Sequence, residues 1–192
     1  MPKTLAKPAF ETHPLTSDRW PDLEQLFGPR GGASGCWCMW WRLTQSKWDS
    51  QRGEQNRKAF KAIVEGGETP GILAYSGGRP VGWCAIAPRE VYPRLERSPT
   101  LARVDDKPVW SVTCFYIARS WRGKGVSEVL LKAAVAYARS RGARLVEGYP
   151  IDPPQGKRTY TWTGVASTFS KTGFVEVARR SKLRPIMRRA AK

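Results

Sequence analysis

Histidine is almost missing from this chain: His13 is the only one in 192 residues. The cysteines number four, Cys36, Cys38, Cys84 and Cys114, with no Cys-x-x-Cys and no second histidine to pair with the first. That combination excludes the usual zinc spacings and argues against a disulfide framework, so buried free thiols and no bound metal are expected. No segment approaches the roughly 20 apolar residues that a membrane-spanning helix needs. The first residues, Met1 to Pro8, carry lysines but no apolar run behind them, which does not fit a secretory signal and makes the cytoplasm the expected location. Internal repeats and low-complexity tracts are absent too. Carboxylates are scarce: 16 Asp and Glu stand against 33 Lys and Arg, a formal charge of +17. Such an excess attracts anions, either a small polyanionic ligand or a nucleic acid. The cations are scattered, densest over Arg179, Arg180, Lys182, Arg184, Arg188, Arg189 and Lys192, and no nucleic-acid-binding motif accompanies them. A nucleic-acid partner therefore ranks last.

The patterning that is present predicts alternating strands and helices. A short strand is expected near Phe10–Thr16, then a helix through Trp20–Phe27 capped by Ser17 or Asp18. Three tryptophans, Trp37, Trp40 and Trp41, crowd the next segment, Cys36–Arg42. They are either core or the aromatic wall of an acceptor pocket. Apolar positions at Ala59, Phe60, Ile63 and Val64 give a helix over Glu54–Val64. Strands at Ile72–Tyr75 and Val81–Ala87 flank the turn Ser76–Arg79 as a hairpin. Pro88–Lys107 reads as a long charged loop holding Glu90, Glu96, Asp105 and Asp106. Val109–Ile117 is apolar on both faces and reads as a central strand. Val126, Val129, Leu130, Ala133, Ala134, Tyr137 and Ala138 define an amphipathic helix closed at Gly142, and a strand follows at Ala143–Tyr149. Strand, helix, strand in this order makes a parallel pair. After a loop over Pro150–Thr163 come a short helix at Gly164–Thr172 and strands at Phe174–Lys182 and Arg184–Arg188.

Chemistry concentrates at Ile117-Ala-Arg-Ser-Trp-Arg-Gly-Lys-Gly-Val-Ser127. A buried strand runs through a glycine-containing loop straight into a helix. Backbone amides there point inward, and the helix dipole adds partial positive charge, which together make a nest for phosphate or pyrophosphate. Gly123 and Gly125 let an anion approach the backbone, while Arg122 and Lys124 add charge and Ser127 adds a hydroxyl. The third glycine of a dinucleotide fingerprint is missing, and so is the Gly-Lys-Ser/Thr of a Walker loop.

Arg122-Gly-Lys-Gly-Val-Ser127, with Phe169-Ser-Lys-Thr-Gly-Phe174 late in the chain, resembles the GCN5-related N-acetyltransferase (GNAT) family. Ser127 stands where that family usually has Gly or Ala, a small-for-small exchange. The resemblance in element order runs from about Phe10 to Arg188. It implies an α/β (α+β) fold: a mixed, mostly antiparallel sheet whose central parallel pair splays around an acyl-CoA site, with helices on both faces. It implies one domain over 1–192, with 1–9 and 189–192 as flexible ends. It also implies acetyl-CoA as co-substrate, with Phe115 and Ile117 pairing the pantetheine arm through their backbones. The pyrophosphate would rest on Gly123, Lys124, Gly125, Val126 and Ser127 beside Arg122, and the thioester would lie between Ile117 and Tyr149. Many relatives are homodimers.

Acylating an alkylamine requires a group to take its proton. The candidates are Glu147, beside the expected splay, and Glu90, after the hairpin strand; Asp105, Asp106 and Asp152 are further carboxylates nearby in the chain. The family's usual acid is a tyrosine four residues before the glycine of the late Gly-Phe pair. Phe169 occupies that position here, and Trp162 and Thr163 lie where an asparagine is common. Tyr149, Tyr160, Cys114 or water are the remaining proton donors. The leading expectation is transfer of acetyl from acetyl-CoA to a primary amine. A non-catalytic acyl-CoA-binding domain is the alternative.

Overall fold

A β-bulge decides the shape of the centre of this protein. The computed structural model describes residues 9–153 and 161–192. In it, strand β3 (Arg79–Pro88) lies antiparallel to β4 (Trp110–Ile117). Ala85 pairs with Cys114 and Ile86 with Val112, so Thr113 is an extra residue on β4. Such an insertion bends a strand and sharpens its twist. On its other edge β4 runs parallel to β5 (Leu145–Gly148), with Trp110, Ser111 and Val112 opposite Val146, Glu147 and Gly148. The pairing stops there, one residue before the bulge. Thr113 to Ile117 go on without a β5 partner, and the two strands diverge.

Around this centre the sheet is completed by β1 (Glu11–Pro14), β2 (Gly71–Ser76), β6 (Val175–Arg179) and β7 (Pro185–Ala190). The strand order is β1-β2-β3-β4-β5-β7-β6, and only β4 and β5 run parallel. One face is covered by α5 (Val126–Ser140) and α6 (Ala166–Lys171). The apolar stripe of α5, Val126, Leu130, Leu131, Ala134, Val135 and Ala138, is buried against Ile72, Val81, Cys84 and Val112. The opposite face carries α1 (Trp20–Phe27) and α3 (Glu54–Glu65), with Leu23, Phe27, Phe60 and Val64 packed on Leu73, Trp83 and Ala85. The two shorter α-helices are α2 (Gln45–Ser50) and α4 (Pro93–Glu96).

The sheet and its major helices fall where the sequence places them, and two expectations are corrected. Pro88–Lys107 is not an open loop. It contains a 3-10 turn at Arg89–Val91 and then α4, and it is tied down by Arg89–Glu96 (2.7 Å) and Arg103–Glu90 (2.8 Å) ion pairs. Residues 189–192 are not a loose end. Arg189 and Ala190 belong to β7, and the Ala191 N–H donates to the Arg144 carbonyl at 3.0 Å. Residues 1–8 of the expected N-terminal end lie outside the described residues.

Tyr92 is fully buried with Leu95 of α4 and Leu101, and its hydroxyl has no hydrogen-bond partner among the described residues. Burial pushes its phenol up to about 12. A folded-state value above that of the free side chain, about 10, stabilises the fold below pH ~10. That contribution is lost as pH rises toward 12. Tyr92→Phe is therefore expected to leave neutral-pH stability unchanged or slightly raised, because it removes an orphan hydroxyl. It should also shift the alkaline unfolding midpoint upward, as read by circular dichroism from pH 9 to 12.

Candidate acyl-donor site at the splay

Gly123 and Gly125 lie in the loop leaving β4. Both adopt left-handed backbone, φ 76° and 84°, and Gly125 is the N-cap of α5. A Cβ built on either meets nothing within 4 Å, so the space above both is open. The first helical N–H to find a carbonyl is that of Glu128, bonded to Gly125 (3.1 Å). Among the described residues the N–H groups from Gly123 to Ser127 donate to no acceptor. Amides left without an acceptor at a helix start attract anions. Arg122 donates through Nε to the Ile117 carbonyl (3.2 Å), and Lys124 lies over the Trp121 ring at 4.9 Å.

Above this loop is a cavity of about 570 Å³. Phe115, Tyr116 and Ile117 form one side, and Trp121, Arg122, Gly123, Val126 and Ser127 form its base. Gly32 and Ala33 close one flank, and Thr161, Trp162, Gly164, Val165 and Thr168 the other. Phe115, Ile117, Arg122, Gly123, Val126 and Ser127 thus come together around one space. Lys124 and Gly125 adjoin it in the same loop.

One feature of the splay is missed by sequence reasoning. The Phe115 N–H, expected to face a ligand, donates to the Trp162 carbonyl at 2.6 Å. The next carbonyl toward β5, that of Thr113, accepts the Trp41 indole N–H at 3.0 Å, and the Trp41 and Trp162 rings lie 5.6 Å apart. The chain therefore lays its own backbone and two indoles into the start of the gap. By strand alternation the Ile117 N–H points to the same side as that of Phe115, further toward the loop.

The tryptophan cluster divides. Trp37 is core, stacked on Trp20 at 6.0 Å and packed on Phe27 at 5.7 Å, which corrects its assignment to an acceptor pocket. Trp40 has its face covered by the Arg94 guanidinium, 3.7 Å from the ring centroid, and so presents no free wall. Trp41 alone reaches the splay. The segment bends sharply because Ser34, Trp37 and Cys38 take positive φ (51°, 46° and 57°), which periodicity cannot reveal.

Both candidate bases are misplaced. Glu147 is fully buried. Its carboxylate accepts from Arg89 Nη1 (2.9 Å), Arg188 Nε (2.6 Å) and the Tyr149 hydroxyl (2.6 Å), and so is occupied on every side. Glu90 lines a different cavity of about 500 Å³ with Trp110 and Leu145, at the opposite end of β4. That is about 23 Å from Ile117 at ordinary strand rise. Partial burial alone would raise the Glu90 pKa, but the Arg103 hydrogen bond, a backbone hydrogen bond and the charges of Arg103 and Arg89 together leave this carboxyl below the usual range, a poor base. Asp105 and Asp152 are held by Arg188 and Arg179 at 2.8 and 2.9 Å.

The proposed acids fare similarly. Burial, with the Glu147 charge, pushes the Tyr149 phenol well above its usual range, and its proton is already given to Glu147. A hydrogen bond with the Cys38 thiol, together with burial, pushes the Cys114 thiol well up. Tyr160 lies outside the described residues. Phe169 is fully buried, its ring 6.1 Å from Phe115 and 5.0 Å from Phe174, and it fills the space where a Cβ on Gly148 or Gly164 would go. Phe169→Tyr is expected to cost about 1–3 kcal/mol, since a hydroxyl enters a packed interior without a partner. Urea denaturation measures this, and turnover should not rise.

The mostly antiparallel sheet with its one splayed parallel pair is the fold seen in solved GNAT-family structures. The Acetyltransferase (GNAT) family model matches residues 37–150, and the chain belongs to that family. No curated protein matches it. Among solved structures it is similar in fold to a GNAT-family acetyltransferase from Listeria monocytogenes, at 10% identity, covering 94% of each chain with a TM-score of 0.57. It is also similar to an N-acetyltransferase from Staphylococcus aureus, at 11% identity, covering 96% of this chain and 99% of that one with a TM-score of 0.55. A third is the PaiA N-acetyltransferase of Thermoplasma acidophilum, solved in complex with coenzyme A, at 14% identity, covering 95% and 99% with a TM-score of 0.53.

Proposed function

We propose that this protein transfers acetyl from acetyl-CoA to a primary amine. The observation that carries the reading is the run of amides from Gly123 to Ser127 with no acceptor among the described residues, beside the cavity that Gly123, Val126 and Ser127 line. A pyrophosphate fits that nest, with Arg122 and Lys124 supplying charge. The pantetheine arm would run along Ile117 toward Phe115. To pair with the Phe115 N–H it must displace the Trp162 carbonyl or stop short of it. The GNAT family model and a coenzyme A complex of a structural neighbour support this ligand.

The residues around the cavity bind and orient the donor; among the described ones there is no carboxylate or imidazole to remove a proton. Attack by a neutral amine on the thioester carbonyl forms the C–N bond. The C–S bond then breaks, and the amine proton passes through water to the departing thiolate. The absence of a carboxylate or imidazole from the cavity lining among the described residues favours, as second reading, a domain that binds acyl-CoA without turnover. Calorimetric titration with acetyl-CoA, followed by a thiol-release assay over a panel of amines, separates the two. Micromolar binding with release supports transfer, binding without release supports the second reading, and no binding removes both.

A further inference from the structure

The charge around the splay limits which amine can be acylated there. All 16 carboxylates and the single histidine lie among the described residues, because residues 1–8 and 154–160 contain neither. None of them lines the cavity beside β4, where the only titratable side chains among the described residues are Tyr116 and Arg122. Carboxylates near the site in the chain are committed elsewhere: Glu147 to two arginines and a phenol, Asp152 to Arg179, and Glu128 to Lys171. Among the described residues an alkylammonium would thus meet no carboxylate in the lining to attract it, and no carboxylate or imidazole there to take its proton. At pH 7 only roughly one in 2,500 molecules of an amine with the pKa of a lysine side chain is neutral. The surface that does face the donor end of the gap is aromatic: Trp162 lines the cavity, backed by Trp41 at 5.6 Å, with the Trp41 indole N–H fixed on the Thr113 carbonyl.

We infer that the acceptor is an arylamine, an amine carried on an aromatic ring and therefore unprotonated at neutral pH. The inference rests on the acetyltransferase reading above and names its substrate class. Conjugation into the ring lowers the amine's basicity, so the nucleophile arrives neutral and needs no protein base. The ring stacks on Trp162, whose position is held by Trp41 and by the Phe115–Trp162 backbone hydrogen bond. The nitrogen lone pair forms the C–N bond, coenzyme A leaves as thiolate, and one N–H proton is passed through water to sulfur. The products are the N-aryl acetamide and free thiol, with no redox partner or metal required.

The test uses the full chain, acetyl-CoA, and two ring-bearing acceptors that differ in basicity, aniline and benzylamine, with thiol release followed from pH 6 to 9. For aniline kcat/KM should be level across that range and at least tenfold above benzylamine at pH 7. Benzylamine should rise about tenfold per pH unit, tracking its own neutral fraction. Trp162→Ala should raise KM for aniline about tenfold with little change in kcat, and Trp162→Phe should restore it. Benzylamine equal to or better than aniline at pH 7, with a level profile, would reveal a protein base and overturn the inference. So would equal loss in the Ala and Phe variants. Acetyl-CoA binding by calorimetry without release from either amine overturns the acceptor class and leaves the donor site standing. No acetyl-CoA binding overturns the underlying reading as well.

Discussion

Gly125→Asp is expected to abolish coenzyme A binding while the protein stays folded. Gly125 has φ 84° and ψ 3° at the N-cap of α5, and a Cβ there meets nothing within 4 Å. The backbone strain is about 1–2 kcal/mol, and aspartate is among the better N-cap residues, so the two effects oppose each other. The ligand meets a different situation. A carboxylate some 4 Å from a pyrophosphate charge costs about 4 kcal/mol at the effective dielectric of a protein surface. That corresponds to roughly a thousandfold in Kd. Gly125→Ala carries the strain without the charge and should weaken binding far less. Calorimetry on both variants, with thermal unfolding as control, checks this. Equal affinity for wild type and Gly125→Asp would mean that the anion does not sit on this loop.

The second large effect is expected at Glu147. This carboxylate is fully buried between Arg89, itself 1% exposed, and Arg188, and also accepts from Tyr149. Removing one member of a buried ion pair leaves uncompensated charge inside the protein, typically at a cost of 3–5 kcal/mol. Here two guanidiniums lose the same partner, so Glu147→Ala should reach at least that range. That is a large share of the 5–15 kcal/mol that usually separates folded from unfolded. Urea denaturation gives the value. Glu147→Gln distinguishes a structural from a chemical role. A structural residue loses stability and keeps its turnover in proportion to folded protein. A base would lose turnover with stability intact, and would show it most clearly at low pH.

What the sequence reveals and what it hides divide along the range of the interactions. The helix at Val126–Ser140 and the nest before it were legible, because apolar spacing and glycine placement are properties of consecutive residues. Glu147 looked like a base because it stands on the strand beside the splay. Its role is set by Arg89 and Arg188, 58 and 41 residues away, which no local pattern discloses. Glu90 was misplaced for a related reason. The strand after which it follows runs antiparallel to β4, so Pro88 pairs with Trp110 and Glu90 emerges at the end of β4 remote from the loop. The bulge at Thr113, which parts β4 from β5, carries no glycine or proline to announce it.

Strand β7 is the last of the sheet in chain order yet lies inside it, between β5 and β6. Arg188, the second cation on Glu147, rides on β7. During synthesis on the ribosome, β5 can join β4 as soon as α5 has formed, but its outer edge and its buried carboxylate stay uncovered until residues 185–190 leave the exit tunnel. Nascent chains halted before that point would present an unpaired strand edge, the kind of surface that chaperones hold and that otherwise aggregates.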